Sequence, residues 1–177
     1  SELLQIKLST ELSFKTLSVA MLIVDIEGNI QFWNKQFTQM FGLPDFLIQK
    51  GKKDSVLGYV VQQLQNPKDF LAKVMHLYRT PELDSYDILE LIDQRIIERF
   101  SVPLRINGQI NARIWLFRDI TAQKLFEKHS KEVEFKFKSL SENSNDFIMR
   151  IDEKFRYLYV NSAGLKFFDV SDKQIIG

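Results

Sequence analysis

The apolar run "AMLIVD" (20–25) and the β-rich run "IQFWN" (30–34) flank Glu27-Gly28-Asn29, which predicts a hairpin whose turn uses the positive φ open to Gly28. Asn34 then stands at the N-cap of a short helix carrying Phe37, Met40 and Phe41 on one face, and Gly42 followed by Pro44 ends it. "SVLGYVVQQL" (55–64) is apolar and suits a helix or a strand. "NPKDFLAKVMHLY" (66–78) reads more clearly as a helix. Asn66 is placed to cap it, Pro67 takes the first helical position, Asp69 complements the dipole, and Pro81 closes the segment. Three strands follow, at 84–92, 95–106 and 109–119, joined by Asp93-Gln94 and by Asn107-Gly108, a strong hairpin dipeptide. Pro103 places its strand at an edge or beside a bulge. Strands, helices and strands again predict an α+β unit.

On the last strand Trp115 and Phe117 alternate with Ile114 and Leu116, so both faces of the sheet need a cover. Phe37, Met40 and Phe41 from the first helix, with Leu71 and Val74 from "KDFLAKV", can supply the cover of one face. The same side chains also suit a filled core without a cavity. The opposite face, with Ile114 and Leu116, is left for the N-terminal "LLQIKL", within a helical segment at 1–14, or for a second subunit. Asp87, Glu90, Glu98 and Arg99 fall at alternating positions expected to be solvated, which gives an enzyme of similar α+β shape no buried acid or base.

A long helix is predicted to start at Ala122, capped by Thr121, with Asp119 at the positive end of its dipole. Glu127 to Lys131, Glu132 to Lys136 and Glu134 to Lys138 are i to i+4 pairs that favour a solvated helix. Phe126, Val133, Phe137 and Leu140 follow a seam of period 3.5, with Ser130 its weak member, so two copies of the helix could pair. A helix packed on its own domain is the alternative.

The same pattern then recurs. "FKTLS" (14–18) returns as "FKSLS" (137–141), and after four extra residues a constant offset of 127 pairs Asp25 with Asp152, Phe32 with Tyr159 and Asn34 with Asn161. Met40 and Phe41 meet Phe167 and Phe168, Leu43 meets Val170, and Ile48 meets Ile175. The chain is thus read as one complete unit at 15–121, a linking helix at 122–141, and the opening third of a second unit at 142–177. Lacking closing strands, that last segment leaves Phe147, Tyr157, Tyr159, Phe167 and Phe168 to be covered elsewhere. It is expected to be disordered, to lie on the first domain, or to pair with its copy in another chain.

Composition narrows the chemistry. The chain has 177 residues, 45% hydrophobic and 27% charged, with a formal net charge of +1, so it reads as globular and carries no electrostatic footprint for nucleic acid or an anionic membrane. No cysteine is present, which removes disulfides, thiolate metal sites and cysteine nucleophiles. "VAMLIV" (19–24) is far below the roughly 20 residues of a bilayer span, and the start at Ser1 reads as artificial rather than as a signal peptide. No carboxylate spacing suggests a metal site, and there is no glycine-rich phosphate loop or Gly-x-Ser-x-Gly elbow. "KGKK" (50–53) reads as a solvated loop cluster.

The hairpin and helix, the three antiparallel strands and the ending "FRDITAQK" together resemble a PAS domain of a bacterial signalling protein, with residues 137–177 similar to the start of a second one. The resemblance implies a five-stranded antiparallel sheet with short helices on one face and a long C-terminal signalling helix. It implies a cytoplasmic sensory or dimerisation module, without catalysis itself, whose output domain, commonly a histidine kinase or diguanylate cyclase, lies elsewhere. In PAS relatives the residue before the Arg-Asp pair faces the ligand space, which would place Phe117 and Trp115 inside. Cavity candidates are therefore Phe37, Met40, Phe41, Leu71, Val74, Trp115 and Phe117, for a small apolar or aromatic ligand. Asp119 and Thr121 would transmit a signal to a homodimer paired through Phe126, Val133, Phe137 and Leu140. A ligand-free dimerisation module is the alternative. The covalent flavin adduct of the light-oxygen-voltage branch needs a cysteine and is excluded. Haem-binding relatives present a histidine from the helix that here carries His76, but 100° per residue turns His76 away from the apolar face, which speaks against haem. His129 lacks the adjacent acid and the following Arg-Thr-Pro run of a phosphoacceptor box.

Overall fold

The computed structural model describes residues 19–49 and 53–170, so the expected helical segment at 1–14, most of "KGKK" and the last residues of the second repeat, 171–177, lie outside the described residues. The chain divides into two compact units, 1–124 and 125–177.

In the first unit, β1 (Ala20–Asp25), β2 (Ile30–Trp33), β3 (Ser85–Glu90), β4 (Ile96–Ile106) and β5 (Gln109–Asp119) form one antiparallel sheet in the order β2-β1-β5-β4-β3. Helices α1 (Lys35–Phe41), α2 (Asp45–Gln49), α3 (Lys53–Val61) and α4 (Pro67–Arg79) connect β2 to β3 and share one buried core with the sheet. The stretch that suited helix or strand does a little of both: α3 ends at Val61, and Leu64 then makes an isolated β-bridge to Leu91.

Short polar side chains set the local geometry. Asp25 Oδ1 accepts the Glu27 and Asn29 N–H groups at 3.0 and 2.8 Å, which closes the β1–β2 turn with Gly28 at φ +86°. Asn34 Oδ1 accepts the Phe37 N–H at 3.0 Å, as an N-cap should, and also the Met21 N–H at 2.9 Å, while Nδ2 donates to the Val19 carbonyl at 2.9 Å. One buried amide therefore fixes α1 onto β1. Asn66 behaves differently from expectation. Its ψ of 69° lies outside the extended range that aims an N-cap side chain at the helix, and no side-chain capping bond forms.

The hairpin β4–β5 turns through Asn107 and Gly108, both at positive φ, as a two-residue loop. The β3–β4 connection is longer than the expected Asp93-Gln94 pair. Leu91 N–H donates to the Arg95 carbonyl, so three residues form the loop, with Gln94 at φ +72°. Pro103 sits opposite Arg113, beyond Ser101, the last β4 residue opposed by β3. The second half of β4 is thus open on that side, with a bulge at Leu104/Arg105.

Helix α5 (Thr121–Glu142) begins one residue earlier than its sequence pattern suggests. In the second unit, β6 (Met149–Ile151) pairs with β7 (Tyr157–Val160), and α6 (Ser162–Phe168) follows. The offset of 127 holds bond by bond. Asp152 Oδ1 accepts the Lys154 and Arg156 N–H groups, and Asn161 Oδ1 accepts those of Ile148 and Gly164, while its Nδ2 donates to the Asp146 carbonyl. Asp169 takes the left-handed conformation of Gly42.

Phe155 stands where the first unit has Gly28 and holds φ +59°. Such a conformation costs a side-chain-bearing residue about 1–2 kcal/mol, and Phe155 is 82% exposed, so little burial offsets it. Phe155→Gly returns about 0.5–1 kcal/mol of that gain through the looser unfolded chain. The expected net result is slower hydrogen exchange of the β6–β7 amides by a few-fold; faster exchange would contradict the strain.

Candidate functional site

Strand register decides what the helices face. Across the sheet, Asp87, Arg99, Phe117 and Ala20 form one row and Ser101, Trp115, Leu22 and Trp33 the next, all with side chains on the helical side. Between these rows and the helices lies a cavity of about 240 Å³. The sheet contributes Leu22, Val24, Trp115 and Phe117; α1 contributes Phe37; α3 contributes Val56 and Val60; α4 contributes Phe70, Val74 and Tyr78. Exposed Ile26, Glu27, Asp54 and Met75 mark its mouth.

Of the cavity candidates, Phe37, Val74, Trp115 and Phe117 line this space. Phe41 is buried but outside the lining, its ring 5.4 Å from that of Phe37 and 5.3 Å from that of Phe117. Met40 packs at the core margin, and its carbonyl accepts a bond from Arg95 Nη1 at 2.6 Å. Leu71 is also peripheral. Phe70 takes its place, because Phe70 and Val74 are the i, i+4 pair directed at the sheet. His76 is exposed.

Arg99 reverses the expectation of a solvated charge. It is 1% exposed, lines the cavity, and pairs with Asp87 through Nε at 2.8 Å and through Nη2. Its guanidinium carbon lies 4.5 Å from the Phe70 ring centroid and 5.0 Å from that of Trp115, so two aromatic faces replace the water it has lost. Nη1 finds no hydrogen-bond partner among the described residues. A buried donor left in that condition costs about 1–3 kcal/mol. Glu98 is buried as well, on the opposite face, in an ion pair with Arg118.

Behind the cavity, Arg113 donates to Ser101 Oγ at 2.8 Å and to the Pro81 and Leu83 carbonyls at 2.7 and 2.9 Å. Burial lowers this guanidinium below its ordinary value, with Tyr78, Asp84 and Glu82 opposing. Burial also pushes the Tyr78 phenol upward; the charge of Arg113 counteracts this and that of Asp25 adds to it. No group of His, Asp and Glu among the described residues is arranged to hold a metal ion. No helix among them is long and apolar enough to cross a membrane.

The strand carrying Trp115 and Phe117 ends in a clasp. Thr121 N–H and hydroxyl both donate to Asp119 Oδ1, and Thr121 Oγ in turn accepts the Ile96 N–H at 2.9 Å. Ile120, buried, donates its N–H to the Ile96 carbonyl at 2.9 Å. Thr121 therefore ties the start of α5 to β4. Beyond the clasp, Phe126 and Leu140 are about three-quarters exposed and Val133 about half. Phe137 meets Tyr159 at 5.5 Å within the second unit.

The sequence pattern of the PAS fold matches residues 14–128, and that of a PAS domain matches residues 136–177. No curated protein matches the chain. Among solved structures, the PAS domain of BvgS from Bordetella pertussis is 16% identical over 76% of this chain and 99% of that one, with a TM-score of 0.50. A PAS domain from Colwellia psychrerythraea is 20% identical over 66% of this chain and 98% of its own, with a TM-score of 0.44. The N-terminal domain of a diguanylate cyclase with PAS/PAC sensor from Marinobacter aquaeolei is 12% identical over 60% and 98%, with a TM-score of 0.46. With a sequence match spanning most of its length and a five-stranded antiparallel sheet backed by short helices and followed by a long one, the chain belongs to the PAS family.

Proposed function

We propose that this chain is a cytoplasmic sensory module, without catalysis of its own, in which a small ligand or partner acts on the cavity and a conformational signal leaves through a dimeric α5. The output domain, of histidine-kinase or diguanylate-cyclase type, would lie elsewhere in a longer protein. In this reading residues 15–121 sense, 122–141 transmit, and 142–177 open a second PAS domain. What supports it most is the continuity of β5: Trp115 and Phe117 line the cavity, and two residues later Asp119 and Thr121 anchor the first turn of a helix about 33 Å long. A shift of either ring is passed along one strand to that anchor.

The partner would be a second copy. Phe126, Val133 and Leu140 recur every seven residues along α5 and are exposed within one chain. The outer sheet face offers a further apolar pair, exposed Tyr86 and Phe100, whose rings lie 4.7 Å apart. Val133→Asp together with Leu140→Asp is expected to yield monomers with unchanged circular dichroism. A dimer of unaltered sedimentation would remove α5 from the interface. A module that only dimerises is the second reading. The mutual contacts of Phe37, Phe41 and Phe117 at 5.3–5.6 Å favour it, since they fill part of the interior without a ligand.

A further inference from the structure

Inside the mouth, where Glu27 and Asp54 stand, the cavity is lined by apolar side chains apart from Tyr78 and Arg99. Among the described residues that line it, Arg99 is the single cation, and its fork is only partly used. Nε and Nη2 face Asp87, so the edge turned away from that carboxylate is Nη1, the atom without a partner. A water molecule held there would need two to four polar partners, and the flanking groups are the rings of Phe70 and Trp115. The charge has already been neutralised by Asp87, so a ligand carboxylate would add a net negative charge to a low-dielectric space, whereas a neutral acceptor completes the fork without one.

Resting on the sensory reading above, we infer that the cavity takes a small, uncharged, mostly apolar molecule bearing one hydrogen-bond acceptor, a carbonyl oxygen or a ring nitrogen, which meets Nη1 of Arg99. Its size is limited by the cavity: about 240 Å³ at interior packing density holds about ten non-hydrogen atoms. An aromatic body suits the space beside Phe70, Trp115 and Phe117, and at the mouth the carboxylates of Glu27 and Asp54, beside Met75 and Ile26, disfavour an anion.

The test uses two nearly isosteric probes, acetophenone and ethylbenzene, with benzoate as the charged counterpart, titrated into the 177-residue chain and followed by calorimetry and by the Arg99 side-chain 15N resonances. Acetophenone is expected to bind about tenfold or more tightly than ethylbenzene, the equivalent of satisfying one buried donor, and it alone should shift the Arg99 signals. In the double variant R99M/D87L, which removes both members of the pair, the ratio should fall to about one while ethylbenzene binding stays within about threefold. Equal binding of the two probes to the unmodified chain, without movement of the Arg99 signals, overturns the role of Arg99 and leaves the cavity reading intact. Benzoate binding more tightly than acetophenone overturns the uncharged class. If no probe binds at millimolar concentration, the ligand-binding reading of the cavity itself fails.

Discussion

Asn34→Ala is expected to destabilise the first unit by about 3 kcal/mol. The substitution removes an N-cap, a loss of about 1 kcal/mol. It also strands the Met21 N–H and the Val19 carbonyl at the start of β1, where Asn34 was their side-chain partner. Each buried or partly buried group so orphaned costs about 1 kcal/mol or more. Both tryptophans, Trp33 and Trp115, lie in the first unit, so their fluorescence during urea unfolding reports that unit alone. The midpoint should fall sharply in Asn34→Ala and stay in place in Asn161→Ala, whose bonds lie wholly in the second unit. Equal shifts in the two variants would contradict the assignment of one amide to each unit.

Gly164→Phe is expected to unfold the second unit. At this position even a Cβ would overlap the Phe147 ring and Val160 Cγ1, and forcing extra atoms into a packed site costs about 1–3 kcal/mol or more. The first unit shows how the clash is avoided. There, 127 residues earlier, the helix carries Phe37 and the segment entering the strand carries Ala20, so the aromatic ring comes from the opposite partner. Combining Gly164→Phe with Phe147→Ala recreates that arrangement. Hydrogen-exchange protection of β6 and β7 should vanish in the single variant and return in the double one, a coupling of at least about 2 kcal/mol. Protection that survives Gly164→Phe alone would refute the close packing.

Much of this was legible because it is local. Asp25, Gly28, Asn34 and Gly42 each act within a few residues, and their spacing carries the turn, the cap and the helix stop. The alternation along β5 showed only that both its faces need a cover; the resemblance to PAS relatives placed Trp115 and Phe117 on the inner one, where they line the cavity. The pairing of Arg99 with Asp87 was not legible, and a single residue of loop length explains why. A two-residue turn at Asp93-Gln94 would set Asp87 opposite Phe100. The three-residue turn that forms sets it opposite buried Arg99, on the inner face, where Asp87 is half-buried. Met40 and Leu71 were misjudged on a smaller scale. Each lies on the apolar stripe of its helix, but the stripe is wider than the cavity, and its margin packs against the buried core beside it.

The position of β5 also governs the order in which this sheet can be completed. Hairpin β1–β2 and hairpin β3–β4 each form from residues close in sequence, but β5 is hydrogen-bonded between them, and its pairing with β1 joins residues as far apart as Ala20 and Phe117. Such a contact closes a long loop, which is slow relative to forming a hairpin. During synthesis, therefore, the facing edges of β1 and β4 have no sheet partner until residues 109–119 have been made. The cavity wall bearing Trp115 and Phe117 arrives with that last strand, so the space between sheet and helices first exists when the sheet closes.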